Sequence, residues 1–223
     1  MFPATSRRVD LEGPAGRLEA SLEEPRGALC GAAVIAHPHP LHGGTMHNKV
    51  VCWAAKGAVA AGVAALRFNF RGVGDSAGRH DQGRGETDDL RAALRFLSQR
   101  YQSQPLLAGG FSFGAAMALR AGMEDPRVVG LMGIGTPLAH ATFDFLLAGL
   151  KPVLLLHGEN DPHGDIRDLR ALARRLGNRA HLVVIPGVGH FFQGHLDRVQ
   201  DAVTDFCARL VGSPSGCRQE GKT

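Results

Sequence analysis

No stretch of the chain approaches eighteen uninterrupted apolar residues, so no membrane-spanning helix is expected. Residues Met1 to Asp10 contain no apolar run of the kind a signal peptide carries. The four cysteines (Cys30, Cys52, Cys207 and Cys217) form no C-x-x-C pair and no zinc spacing. Cys30 and Cys52 sit among apolar residues and read as small buried hydrophobes, so no disulfide framework is implied and a reducing, cytoplasmic setting is expected. Charge is not concentrated either. The net charge is +4, and its arginines are scattered, with Arg7-Arg8 and Arg174-Arg175 the nearest approach to a patch. That distribution fits a solvated surface better than a nucleic-acid footprint. No repeat, linker or composition break divides the 223 residues, a length that suits one domain with a full apolar core.

What the chain has is a regular alternation. A hairpin is expected from Arg7 to Glu12 and from Arg17 to Glu23, around Gly13-Pro14-Ala15-Gly16. Continuous apolar runs then read as buried strands: Ala32 to Ala36, Val63 to Phe68, Leu106 to Ala108, Val128 to Ile134, Pro152 to Leu156 and His181 to Ile185. Helical periodicity separates them: Asn48 to Ala61 with Gly62 as stop, Glu86 to Gln99 with Thr87 as cap, Ala115 to Ala121, Ile166 to Leu176 capped by Asp165, and His195 to Leu210. Strand-helix alternation after an N-terminal hairpin predicts an α/β fold, a mostly parallel twisted sheet with helices on both faces. The domain is expected to span residues 1–211, with a polar, glycine-rich, disordered tail over 212–223.

In such sheets ligands bind beyond the carboxyl ends of the strands. The polar, glycine-rich loops that begin at His37, Asn69, Phe111, His157 and Pro186 all lie there, and so are expected to converge. One of them contains Gly110-Phe111-Ser112-Phe113-Gly114 between a strand and a helix, the pattern of a nucleophile elbow. The competing reading is an ordinary helix start with Ser112 as N-cap. A serine hydroxyl is a poor nucleophile without a base, and the base needs an orienting acid. Asp161 and His190 follow later strands in the order Ser, Asp, His that this elbow calls for. Glu159 and Asp165 are rivals for the acid, and Asp161 also suits a turn-forming role in Asn160-Asp161-Pro162.

The sequence resembles the α/β-hydrolases, and closely a small bacterial serine-hydrolase group related to dienelactone-hydrolase-like proteins. The likeness lies in His37-Pro38-His39-Pro40 with Gly43-Gly44-Thr45-Met46, and in Phe68-Asn69-Phe70-Arg71-Gly72-Val73-Gly74. It continues through the Ser112 elbow, His157-Gly158 with Asp161, and Gly189-His190-Phe191-Phe192. Dienelactone hydrolases proper carry a cysteine nucleophile where this chain has Ser112, which makes an ester the expected substrate. The resemblance implies a Ser112–His190–Asp161 triad and an oxyanion hole with one amide from Phe113. It also implies a second donor from the His37 loop. Pro38 and Pro40 have no N–H, which leaves His39, with Leu41 next.

No cofactor is expected. His37, His39, His42 and His47 do not make a metal site, because the prolines keep them off a common helix face and no acidic or cysteine ligand accompanies them at metal spacing. The interval from Thr136 to Lys151 is too short for a long lid. Leu138, Phe143, Phe145, Leu146 and Leu147 within it suit one short apolar helix over the pocket, or packing against the sheet. The expected activity is hydrolysis of small acyl esters through an acyl-enzyme, with a small-molecule partner and neither nucleic acid nor membrane. A thioesterase or peptidase uses the same machinery, and a non-catalytic ligand- or partner-binding protein of this fold is the alternative from another class.

Overall fold

Strands β1 (Thr5–Gly13) and β2 (Gly16–Glu24) form the N-terminal hairpin in a computed structural model that describes residues 5–212. Gly16, at φ 110°, supplies the positive backbone angle that the tight turn needs. Leu18, Ala20 and Leu22 are fully buried on one face, as the period-two pattern requires. The six apolar runs become β3 (Gly31–Ala36), β4 (Val63–Phe68), β5 (Leu106–Phe111), β6 (Val128–Ile134), β7 (Val153–Gly158) and β8 (Ala180–Ile185). They join the hairpin in one eight-stranded sheet of order β1-β2-β4-β3-β5-β6-β7-β8. The hairpin pairs antiparallel with β4, and every pairing from β4 to β8 is parallel.

Among the described residues five α-helices cover the two faces: α1 (Lys49–Ala60), α2 (Arg84–Arg100), α3 (Phe113–Glu124), α4 (Ile166–Leu176) and α5 (Leu196–Val211). Neighbouring strand residues feed opposite cores. Val34, Leu66, Ala108 and Leu155 pack with Leu90 and Leu94 of α2, Leu119 of α3 and Leu169 of α4. Ile35, Ala65, Leu107 and Leu156 pack with Val50 and Ala54 of α1 and Val199, Val203 and Phe206 of α5. Apolar runs without alternation are what a sheet covered on both sides demands, at about 1.5–3 kcal/mol for each fully buried Leu, Ile or Phe.

Helix starts follow local chemistry. Asn48 caps α1 by accepting from the Val50 amide, and Asp165 caps α4 by accepting from the Arg167 amide. The start of α2 differs from expectation. It begins at Arg84 rather than Glu86, and Thr87 is not the cap. The fully buried Glu86 carboxylate reaches back to the Gly83 and Asp81 amides, while the Thr87 hydroxyl donates to the Gly83 carbonyl inside the helix.

The lid expectation also resolves. Asp144–Ala148 is a single 3-10 turn, and Phe143 and Leu146 are buried in the core shared with α3 and α4. Leu138, Phe145 and Leu147 pack against the same core rather than standing as a helix over the site. Cys30 departs from the reading of it as a plain buried thiol. It is disulfide-bonded, whereas Cys52 and Cys207 are free. Cys217 and the tail lie outside the described residues. No helix among the described residues is long and apolar enough to cross a membrane.

Candidate active site

The loops expected to meet do meet at the carboxyl ends of β3 to β8. Ser112 stands between β5 and α3 at φ 55° and ψ −119°, a conformation that an L-residue holds only under constraint. The constraint is visible on both sides of it. A Cβ on Gly110 would lie 2.4 Å from the Gly114 carbonyl carbon, and one on Gly114 would lie 2.4 Å from the His37 carbonyl oxygen. Only glycine at both positions lets α3 start this close to β5 and to the end of β3. Ser112 occupies the cap position of α3, yet its side chain makes no capping hydrogen bond. The N-cap reading therefore gives way: the hydroxyl is not spent on the helix.

His190 lies in the loop after β8, and its Nδ1 donates to Asp161 Oδ2 at 2.7 Å. Both side chains are buried, and the imidazole packs on Phe111, the residue before Ser112, with ring centres 4.7 Å apart. Gly135, at φ 55°, passes beside the same imidazole; a Cβ there would come 3.2 Å from His190 Cε1. Asp161 also makes the turn expected of it, because its Oδ1 accepts from the His163 amide at 2.8 Å. Burial opposes the charge on Asp161. The hydrogen bond from His190 and that from the His163 amide outweigh it, so the carboxyl is held below the usual carboxylate range. The rival acids are otherwise engaged: Glu159 accepts from the Gly187 amide, and Asp165 caps α4. Among the described residues Ser112 makes no hydrogen bond to His190.

The His37 loop closes the other side. His37 is fully buried; its Nδ1 donates to the Pro38 carbonyl and its Nε2 accepts from the Phe70 amide. Burial lowers its pKa to about 4, so it is a neutral structural imidazole. His39 packs its ring 4.8 Å from that of Phe113 and accepts the Leu41 amide at Nδ1. Leu41 N–H is thereby occupied, whereas the His39 N–H makes no backbone hydrogen bond among the described residues. His47 is exposed, and the described residues hold no group of three or more His, Cys, Asp or Glu placed for a metal ion.

The residues at the end of β4 and just after it are framework. Arg67 is buried in an ion pair with Glu23 and donates to the Met46 carbonyl; Asn69 Oδ1 accepts the Met46 amide. Arg71 forks onto the fully buried Asp89 of α2. These bonds fix the loops after β3 and β4, on the His37 side of the site. The signal was the motif itself, but its partners are distant in sequence. Rings that the sequence reading passed over also line the rim. His80 lies 5.1 Å from His39, and His163 lies 4.5 Å from His190 on the other side. Two clefts, of about 260 Å³ around Arg8 and Asp75 and about 400 Å³ beside Arg170 and Arg174, touch none of these residues.

Known proteins share this architecture. Residues 39–148 match a family model described as serine aminopeptidase S33, and 134–210 match one described as TAP-like protein. The protein RP471 of Rickettsia prowazekii is 36% identical over 208 residues, 89% of this chain and 87% of that one. An alpha-beta serine hydrolase homologue from Coxiella burnetii superposes with a TM-score of 0.85 at 34% identity, over 92% of this chain and 99% of that chain. The chain belongs to the α/β-hydrolase superfamily. Another such hydrolase, XC6422 from Xanthomonas campestris, described as a serine hydrolase without lid, superposes at 0.86 with 32% identity, over 96% and 98% of the two chains. The two solved relatives are described as serine hydrolases, and the chain is a hydrolase of their superfamily.

Proposed function

We propose that this α/β-hydrolase is a carboxylesterase acting on small acyl esters. The observation that carries the reading is Ser112 at φ 55°, its side chain unused as a cap, beside the Phe111 ring on which the His190–Asp161 pair rests. Asp161 fixes His190 with the proton on Nδ1, which leaves Nε2 as the base. His190 takes the Ser112 proton as the hydroxyl oxygen attacks the acyl carbonyl; the tetrahedral oxyanion is held by the Phe113 amide at the start of α3 and by the His39 amide. Collapse expels the alcohol, protonated by His190. Water, deprotonated by His190, then attacks the acyl carbon, and the acid leaves as the bond to Ser112 breaks and His190 returns the proton to the serine oxygen. The same steps serve a thioester or a peptide. Small esters are favoured because the 3-10 turn that stands in place of a lid is packed into the core and cannot enclose a long acyl chain. The test is kcat/KM along a p-nitrophenyl ester series from acetate to palmitate. The reading expects the maximum at the shortest acyl chains; a maximum at the long chains would overturn it.

The role of His39 has its own test. Its φ of −53° already suits proline. His39→Pro removes only the N–H that His39→Ala keeps. Loss of one such donor typically costs about 100- to 1000-fold in kcat, so the Pro variant is expected to be slower than the Ala variant by that factor. Equal rates would move the second donor elsewhere.

A non-catalytic binding role is the second reading. The missing Ser112–His190 hydrogen bond favours it, and an inert Ser112 toward acylating probes would decide for it.

A further inference from the structure

Among the described residues His157 is the one fully buried imidazole whose partners lie in the acid-bearing loop, and the mechanism above does not use it. It follows the apolar run Val153 to Leu156 near the end of β7, where a leucine would serve packing alone. Burying a polar ring there is costly unless its hydrogen bonds do something. Its Nε2 lies 2.9 Å from the Gly164 carbonyl and 3.6 Å from Asp161 Oδ2, the oxygen that holds His190. A carbonyl only accepts, so Nε2 carries the proton. Nδ1 is buried without a hydrogen-bond partner. A second proton there would be an unsatisfied buried donor, and burial accordingly lowers the pKa of this histidine; it is a neutral donor.

The loop is shaped for this contact. Asp161 N–H donates to the Gly158 carbonyl and Gly164 N–H to the Asp161 carbonyl, so residues 158–164 form a pair of linked turns. Any Cβ on Gly164 would lie 3.0 Å from His157 Cε1 and 2.7 Å from the Thr136 carbonyl oxygen. Glycine at 164 lets the loop backbone close on the imidazole. The 2.9 Å bond is the direct side-chain tie from β7 to the far end of the loop that presents Asp161.

We infer that His157 is a positioning residue: by clasping the Gly164 carbonyl it holds the Asp161 carboxylate in line with His190. The inference rests on the reading of Asp161 as the catalytic acid. It does not require the substrate class to be right.

The test compares wild type, His157→Leu and His157→Gln. Glutamine places an amide N–H near the position of Nε2; leucine places none. Two readouts are taken. One is the far-downfield proton resonance of the His190–Asp161 hydrogen bond, which needs no turnover. The other is kcat and KM on a short-chain p-nitrophenyl ester. The expected result is loss of the resonance in the Leu variant, with kcat down about 100-fold, the scale of a small misplacement of a catalytic group, and KM within about twofold. The Gln variant keeps the resonance and most of kcat. If Leu does not fold, His157→Asn, whose amide falls short of Gly164, takes its place. A Leu or Asn variant that keeps both the resonance and kcat would overturn the inference, as would a Gln variant that fails as badly as Leu. Absent turnover in the wild type, with the resonance behaving as expected, would sink the esterase reading and leave the role of His157 standing.

Discussion

Ser112→Ala is expected to lower ester turnover by on the order of a million-fold, the loss seen when the nucleophile of such a triad is removed. The size follows from the chemistry. Without the hydroxyl there is no acyl-enzyme, and only the oxyanion donors and substrate binding remain to assist water. The fold should be indifferent, because the Ser112 side chain makes no capping bond and the neighbouring glycines, not the hydroxyl, permit the φ of 55°. The check is kcat on a short-chain ester beside a urea unfolding curve. An unchanged midpoint with activity gone is the expected pair; activity within tenfold of wild type would remove Ser112 from the mechanism.

Asp161→Asn is expected to cost about 10⁴-fold in kcat, since an amide in place of the carboxylate favours the wrong tautomer of the histidine base. The carboxylate accepts from His190 Nδ1 and from the His163 amide, two donors that an Asn side chain cannot satisfy with its single oxygen. The same bonds give a pH signature. Burial pushes the Asp161 pKa up, the hydrogen bonds pull it down, and the net shift is downward. A group with a depressed folded pKa contributes stability that is present above its unfolded value, roughly 3.9, and is lost as pH falls through the folded value. Unfolding free energy measured against pH should therefore decline more steeply below about pH 4 in the wild type than in Asp161→Asn. Parallel curves would mean that the carboxylate is not stabilised in the folded state.

The strands and the candidate site were legible for the same reason. Parallel strands buried on both faces appear as apolar runs, and the functional loops must follow them, so Ser112, Asp161 and His190 could be picked by position as well as by type. What was not readable depends on contacts through space. Thr87 looked like a cap because Glu86 gives no local sign that it reaches back to Gly83. The apolar residues of 138–147 suit a lid or a core equally, and only the packing of Phe143 and Leu146 separates the two. The Arg71–Asp89 and Arg67–Glu23 pairs join residues 18 and 44 positions apart, beyond any local pattern. Likewise His157 read only as the start of the loop after Leu156, because its partner Gly164 matters for its carbonyl, not its side chain.

The central claim is that Ser112 is an activated nucleophile. The measurement that meets it most directly is labelling of the purified protein with a fluorophosphonate probe, followed by mass mapping of the adduct, in wild type, Ser112→Ala and Asp161→Asn. The account predicts one adduct on the Ser112 peptide of the wild type, none in Ser112→Ala and much slower labelling in Asp161→Asn. A folded wild type that takes up no probe, or takes it up equally without Ser112, would contradict it.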